Sequence, residues 1–134
     1  VKTLSIRQPY AWLIVNGLKD IENRSWPTEY RGPVLVHAGK TRMTRDDWQF
    51  WRENFEEFGE VLFTEETIQY GGIVGAMNIV DCVTRSDSPW FEGEYGFVID
   101  SAMTCDFIPL AGRLGFFDTA ITVDLTKLEP MQNE

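Results

Sequence analysis

Residues 3–24 read TLSIRQPYAWLIVNGLKDIENR, which places an extended run, a helix, a break and a second extended run in succession. TLSI alternates and stops at Arg7-Gln8-Pro9, as a short strand does when it enters a turn. Pro9 suits the first helical position, where its missing N–H costs nothing. YAWLIVN is an apolar helix of about two turns, too short to stand alone, so it must pack on a sheet. Gly17 is placed to end that helix in a left-handed conformation. The following DIENR alternates poorly, but Ile21 can point inward while Glu22 and Arg24 share the opposite face.

Working outward, PVLVHAGK (33–40) is a short strand dense in β-branched residues. TRDDWQFWRENFEEF (44–58) has helical spacing, with Trp48, Trp51, Phe55 and Phe58 at i, i+3, i+7 and i+10. Thr44 or a neighbouring aspartate can cap it, and Asp46 and Asp47 suit its positive end. GGIVGAMNIVDCVTR (71–85) reads as a long strand in which Gly75 marks a bulge or bend. YGFVID (95–100) and CDFIPLAG (105–112) read as two further strands, and LGFFDTAITVDL (114–125) as one or two more. SWPTEYRGP (25–33) and SDSPWFEGE (86–94) are loops. Helices and strands do not alternate, so a βαβ repeat is disfavoured. The pattern predicts an α+β fold: a small, bent β-barrel of about six strands with two or three helices packed on it.

The chain has 134 residues, 43% of them apolar, enough for one real core, and shows no repeat or linker. One domain over 1–134 is expected. No apolar run approaches membrane-spanning length, and VKTLSIRQPY does not read as a secretory h-region. Cys82 and Cys105 are far apart and lack metal spacing. They are expected to be free, buried thiols of a cytoplasmic protein. A single histidine, His37, makes a Cys/His zinc site a poor expectation, and no metal or cofactor is predicted. The net charge is −9, unevenly spread. Residues 1–52 hold nine Lys/Arg and five Asp/Glu, or +4; residues 53–134 hold three and sixteen, or −13. Either a basic surface sits on an acidic body, or acidic loops serve solubility; the charges alone leave both open.

GLKDIENR (17–24) satisfies the pattern G-x-K-x-x-E-x-R through Gly17, Lys19, Glu22 and Arg24. With RGPVLVHAGK, GGIVGAMNIVDCV, SPWFEGEYGFVI and PLAGRLGFF in order around it, the chain resembles the ASCH domain family of the PUA-like β-barrel superfamily along nearly its whole length. The resemblance implies a barrel with a cleft where the signature meets neighbouring loops, facing RNA or a modified nucleobase or nucleoside. It also implies an alternative, since some members resemble amidohydrolases that remove an acyl group from acylated cytidine. In those members a lysine, a threonine and a glutamate act together. The lysine corresponds to Lys19, but the threonine position is Glu22 here. A carboxylate cannot replace a nucleophilic hydroxyl unchanged, so Glu22 would act as general base on water while Lys19 stabilises the oxyanion. Glu94, just before YGFVI, is the candidate for the separate glutamate. A ribonuclease is less favoured, for want of a histidine pair.

The residues also bear direct reading. Glu22 and Arg24, two apart on an extended segment, can be neighbours, and Lys19 at the corner can reach the same space. The cluster is either an ion-pair lock or a polar pocket for an anion or base edge. Trp26 and Trp90 each sit beside a proline in a polar loop, placed to stack a base or to cap the barrel. Trp12, Trp48 and Trp51 read as core. Arg7 shares a face with Ser5 and can line the cleft. His37 ends a strand; a lone histidine there is commonly structural, though it is kept as a binding candidate with Lys40 in the AGK turn, whose N–H groups could meet a phosphate. Arg42 and Arg45 suit either phosphates or solvent. Ser86 and Ser88 have no histidine base nearby in sequence, against a serine hydrolase.

Overall fold

The computed structural model describes residues 1–55 and 63–128. In chain order the elements are β1 (Lys2–Ile6), α1 (Tyr10–Val15), β2 (Ile21–Arg24), β3 (Gly32–Ala38), α2 (Arg45–Phe55), β4 (Gly72–Val83), β5 (Tyr95–Pro109) and β6 (Phe116–Asp118), with a 3-10 turn at Thr126–Leu128. The six strands form one sheet in the order β2-β5-β4-β3-β1-β6, and only β1–β3 is a parallel pair. Register shifts at Val36/His37 in β3, and at Ile73/Gly75, Asn78/Ile79 and Ile79/Asp81 in β4, curl the sheet into a half-barrel. The α+β barrel-like architecture expected from the sequence is the one observed.

The inside of the curl is the main core, where Leu4, Val36, Ile79 and Phe97 meet Ala11 and Ile14 of α1. Leu13 and Ile14 are fully buried. Each such side chain contributes roughly 1.5–3 kcal/mol, which is how a six-residue helix persists. Gly75 permits this packing. A Cβ there would lie 2.1 Å from the Met103 carbonyl oxygen and 2.7 Å from Val15 Cγ1, so the anticipated bulge is also a close approach of α1 to the sheet. The outer face, with Leu35, Ile73 and Met103, is covered by Ile121, Val123 and Leu128 of the C-terminal segment. A third cluster joins α2 to α1: Trp51 stacks on Phe55 at 4.7 Å and meets Trp12 edge-on at 5.5 Å. No described helix is long and apolar enough to cross a membrane.

Several local expectations change. Pro9 is the residue before the helix, following a cis Gln8–Pro9 bond, and not its first turn. The helix start is instead served by Gln8, whose side-chain oxygen accepts the Trp12 N–H at 2.9 Å. The two strands read at 95–100 and 105–112 are one, β5, because the intervening Ser101–Thr104 keeps pairing with β4. Only Phe116–Asp118 of 114–125 is a strand; the apolar residues after it pack on the outer face without pairing. Thr44 does cap α2, accepting the Asp47 N–H at 3.1 Å while Asp47 accepts the Thr44 N–H at 2.8 Å. Phe58 lies outside the described residues. Both cysteines are free as expected, but half-buried and not fully enclosed.

Gly75→Ala is expected to destabilise by about 3 kcal/mol or more through overpacking. Gly17→Ala, at φ +78° with nothing within 4 Å of the new Cβ, should cost only about 1–2 kcal/mol of left-handed strain. Urea unfolding of the two variants checks the order; a smaller loss at Gly75 would contradict the close approach.

Candidate functional site

The site begins where α1 ends. Gly17 N–H donates to the Ile14 carbonyl at 3.0 Å and Leu18 N–H to the Leu13 carbonyl at 2.9 Å, a Schellman closure around the left-handed glycine. It turns the chain so that Lys19 points inward and is only 5% exposed. β2 then pairs with β5, Glu22 opposite Phe97, and the two-residue period puts Glu22 and Arg24 side by side. Arg24 Nε donates to Glu22 Oε2 at 2.9 Å, and Lys19 Nζ is 3.8 Å from Glu22 Oε1. Lys19 Nζ also donates to the Ile21 carbonyl, and Arg24 Nη2 to the Ser5 carbonyl at 2.7 Å. Among the described residues no buried side-chain polar atom lacks a partner.

Above this cluster opens a cleft of about 860 Å³, flanked by the end of β1 and by β2, with Phe50 and Phe55 of α2 and the 86–94 loop along its walls. That volume suits a small organic ligand. The Lys19 ammonium lies between two rings, 5.7 Å from the centre of Tyr10 and 5.8 Å from that of Trp90. The loop carrying Trp90 is pinned to β2. Asn23 Nδ2 donates to the Trp90 carbonyl at 2.8 Å, and the Glu92 N–H donates to Asn23 Oδ1 at 3.0 Å. Ser88 Oγ donates to Asp20 at 2.6 Å and accepts the Trp90 N–H at 3.2 Å. At the mouth, Arg7 pairs with Asp47 of the α2 cap and lies 5.6 Å from the Tyr10 ring centre.

Of the residues singled out in the sequence, Arg7, Lys19, Glu22, Arg24, Trp26 and Trp90 line this cleft. Trp26 is also a seam filler, edge-on to Phe97 at 5.4 Å and to Phe116 at 5.6 Å. His37, Lys40 and Glu94 lie elsewhere. His37 is buried, its Nε2–H donating to the Leu110 carbonyl at 2.5 Å and its Nδ1 accepting from Ser5 Oγ at 2.9 Å. Lys40 and Glu94 are exposed and do not line the cleft. Glu92, two residues before Glu94, does line it. Tyr10, Asn23, Phe50, Phe55 and Glu92 were not singled out as cleft residues. Phe50 lies off the Trp48–Trp51–Phe55 stripe, a signal of a second apolar face on α2.

Burial holds the Lys19 ammonium below its usual 10.5, outweighing the opposite pull of the Glu22 and Glu92 carboxylates. Burial likewise raises the Tyr10 phenol, against the nearby Arg7. The arrangement offers hydrogen-bond donors at its floor, aromatic faces on its walls and one carboxylate, Glu92, at its rim.

Among protein families, the ASCH domain matches residues 4–101. Two curated relatives bear the name Activating signal cointegrator 1: the human protein is 26% identical over 83 residues and the mouse protein 28% over 83. The aligned stretch covers 61% of this chain and 14% of each relative.

The lowered Lys19 pKa sets a sign for stability. Between the folded value and 10.5 the unfolded chain binds the extra proton, so this group makes stability rise with pH through that window. Lys19→Met should remove that rise. Urea unfolding of both proteins from neutral pH to 10.5 checks it, and parallel curves would refute it.

Proposed function

This chain belongs to the ASCH domain family, and on that premise we propose that its cleft binds a nucleobase, carried by single-stranded RNA or by a free nucleoside. The observation that carries the reading is the Lys19–Glu22–Arg24 cluster at the floor of a ring-walled cleft. A base is a flat ring with polar edges. Trp90 and Tyr10 supply faces for stacking, and the donors of Lys19 and Arg24 suit ring carbonyls or unprotonated ring nitrogens. The cleft charges are already answered from within: Arg7 by Asp47, and Lys19 and Arg24 by Glu22. Among the described residues, the cleft lining holds no further cation to track a phosphate backbone, and the net charge is −9.

A second reading, deacylation of an acylated cytidine, is supported by the buried amine of Lys19 standing beside the Glu22 carboxylate. Glu22 would draw a proton from water as its oxygen adds to the acyl carbon, Lys19 would hold the oxyanion, and Glu22 would return the proton to the exocyclic nitrogen as the C–N bond breaks, releasing cytidine and the carboxylic acid.

Titration of the intrinsic tryptophan fluorescence with nucleosides and with a short single-stranded RNA tests the first reading. Saturable quenching is expected, weakened roughly tenfold or more in Trp90→Ala, as loss of a base stack implies, and weakened in Lys19→Ala. RNA affinity should fall only shallowly with salt, with a logarithmic slope of about −1, as for one or two neutralised phosphates. Absence of quenching by every ligand would sink the proposal. For the second reading, an N4-acylated cytidine should be turned over and both Lys19→Ala and Glu22→Gln should abolish turnover; no turnover by the unmodified protein rejects it.

A further inference from the structure

The hydrogen-bonding groups that face the cleft are distributed unequally. Both Glu22 oxygens face cations, Oε1 toward Lys19 and Oε2 toward Arg24, so the floor offers a ligand mainly N–H groups. The carboxylate of Glu92 is different. It is exposed, it lines the cleft, and among the described residues it has no ion-pair partner. Its negative charge acts on both Tyr10, at the start of α1, and Lys19, just past its end. Its backbone is not left to wander, because its N–H is held by Asn23 Oδ1 at 3.0 Å. The amide nitrogen of the same Asn23 holds the Trp90 carbonyl at 2.8 Å. One side chain of the signature strand therefore sets both a stacking ring and a carboxylate acceptor.

Resting on the base-binding reading above, we propose that Glu92 is the specificity-determining residue of the cleft, selecting bases that carry an exocyclic amine, and that Asn23 is its positioning residue. A base stacked on Trp90 would turn one polar edge to the donor floor and another to Glu92. An amine donates to a carboxylate with a charge-assisted bond. A carbonyl in the same place faces it lone pair to lone pair. Cytosine and uracil differ by this exchange at C4, and adenine and hypoxanthine at C6; in each pair the adjacent ring nitrogen turns with it from an acceptor, which suits the donor floor, to an N–H donor, which does not. A single well-placed contact of this kind separates two bases by roughly tenfold or more.

The test measures binding of cytidine against uridine and of adenosine against inosine, by calorimetry or tryptophan fluorescence, in the full chain. The unmodified protein should favour the amine member of each pair by about tenfold. Glu92→Gln should reduce both preferences to below about twofold, because its amide can turn either its oxygen or its nitrogen to the ligand. Glu92 is exposed, so this variant should fold normally. Asn23→Ala should lose the preference as well as affinity, with the preference ratio separating positioning from mere loss of stability. Equal binding within each pair, or a preference that survives Glu92→Gln, overturns the assignment while leaving base binding intact. Failure of all four nucleosides to bind overturns the base-binding reading itself, and the assignment with it.

Discussion

The guanidinium of Arg24 closes the half-barrel where the backbone does not. The sheet runs from β2 at one edge to β1 and β6 at the other. Across the gap, Arg24 Nη2 reaches the Ser5 carbonyl of β1 while its Nε is fixed by Glu22. Trp26 fills the remainder of the seam between Phe97 and Phe116. The cleft lies along this seam, so the ion cluster that holds the fold and the floor of the site are the same atoms. Burying Lys19 and Glu22 with a half-buried Arg24 is costly, and it is sustained here because Glu22 is shared by two cations and each cation also donates to a backbone carbonyl. Removing any one of the three would leave the others exposed to that cost.

This pairing accounts for part of the lopsided charge of the chain, while Lys40, Arg45 and Arg52 of the basic first half are exposed. Arg7, Lys19 and Arg24 turn toward the cleft and are matched locally. Arg31 meets Asp81 at 3.7 Å, and Arg42 lies over the Tyr70 ring. Among the described residues of the second half, Asp87, Asp106 and Asp118 are exposed.

The aromatic wall depends on contacts from three separate parts of the chain. Phe55 and Trp90 are nearly parallel at 6.3 Å, and Phe50 meets both Tyr10 and Trp90 edge-on or tilted. Rings that support one another are held in place before any contact is made, so the wall is preorganised. Arg7 ties this wall together by joining the end of β1 to the capping aspartate of α2.

Much of this was legible in the sequence. Gly17 as a left-handed helix end, the Thr44 cap, the bend at Gly75 and the Glu22–Arg24 face all follow from local rules about backbone conformation and two- or three-residue spacing. The signature residues could therefore be expected to converge. What the chain alone did not disclose were relations between distant segments. His37 sits at a strand end like a ligand-facing residue, yet the bulge after Val36 and the returning Leu110 segment bury it on the outer face. Glu94 and Glu92 are equivalent as loop acids in the sequence; in the fold Glu92 lines the cleft, and its N–H is held by Asn23, 69 residues away. By itself the sequence determined the elements and the motif, because those depend on neighbours within a turn or along a strand. The tertiary structure alone decided which rings and acids surround the motif, because those positions depend on sheet closure and on hydrogen bonds between residues far apart in the chain.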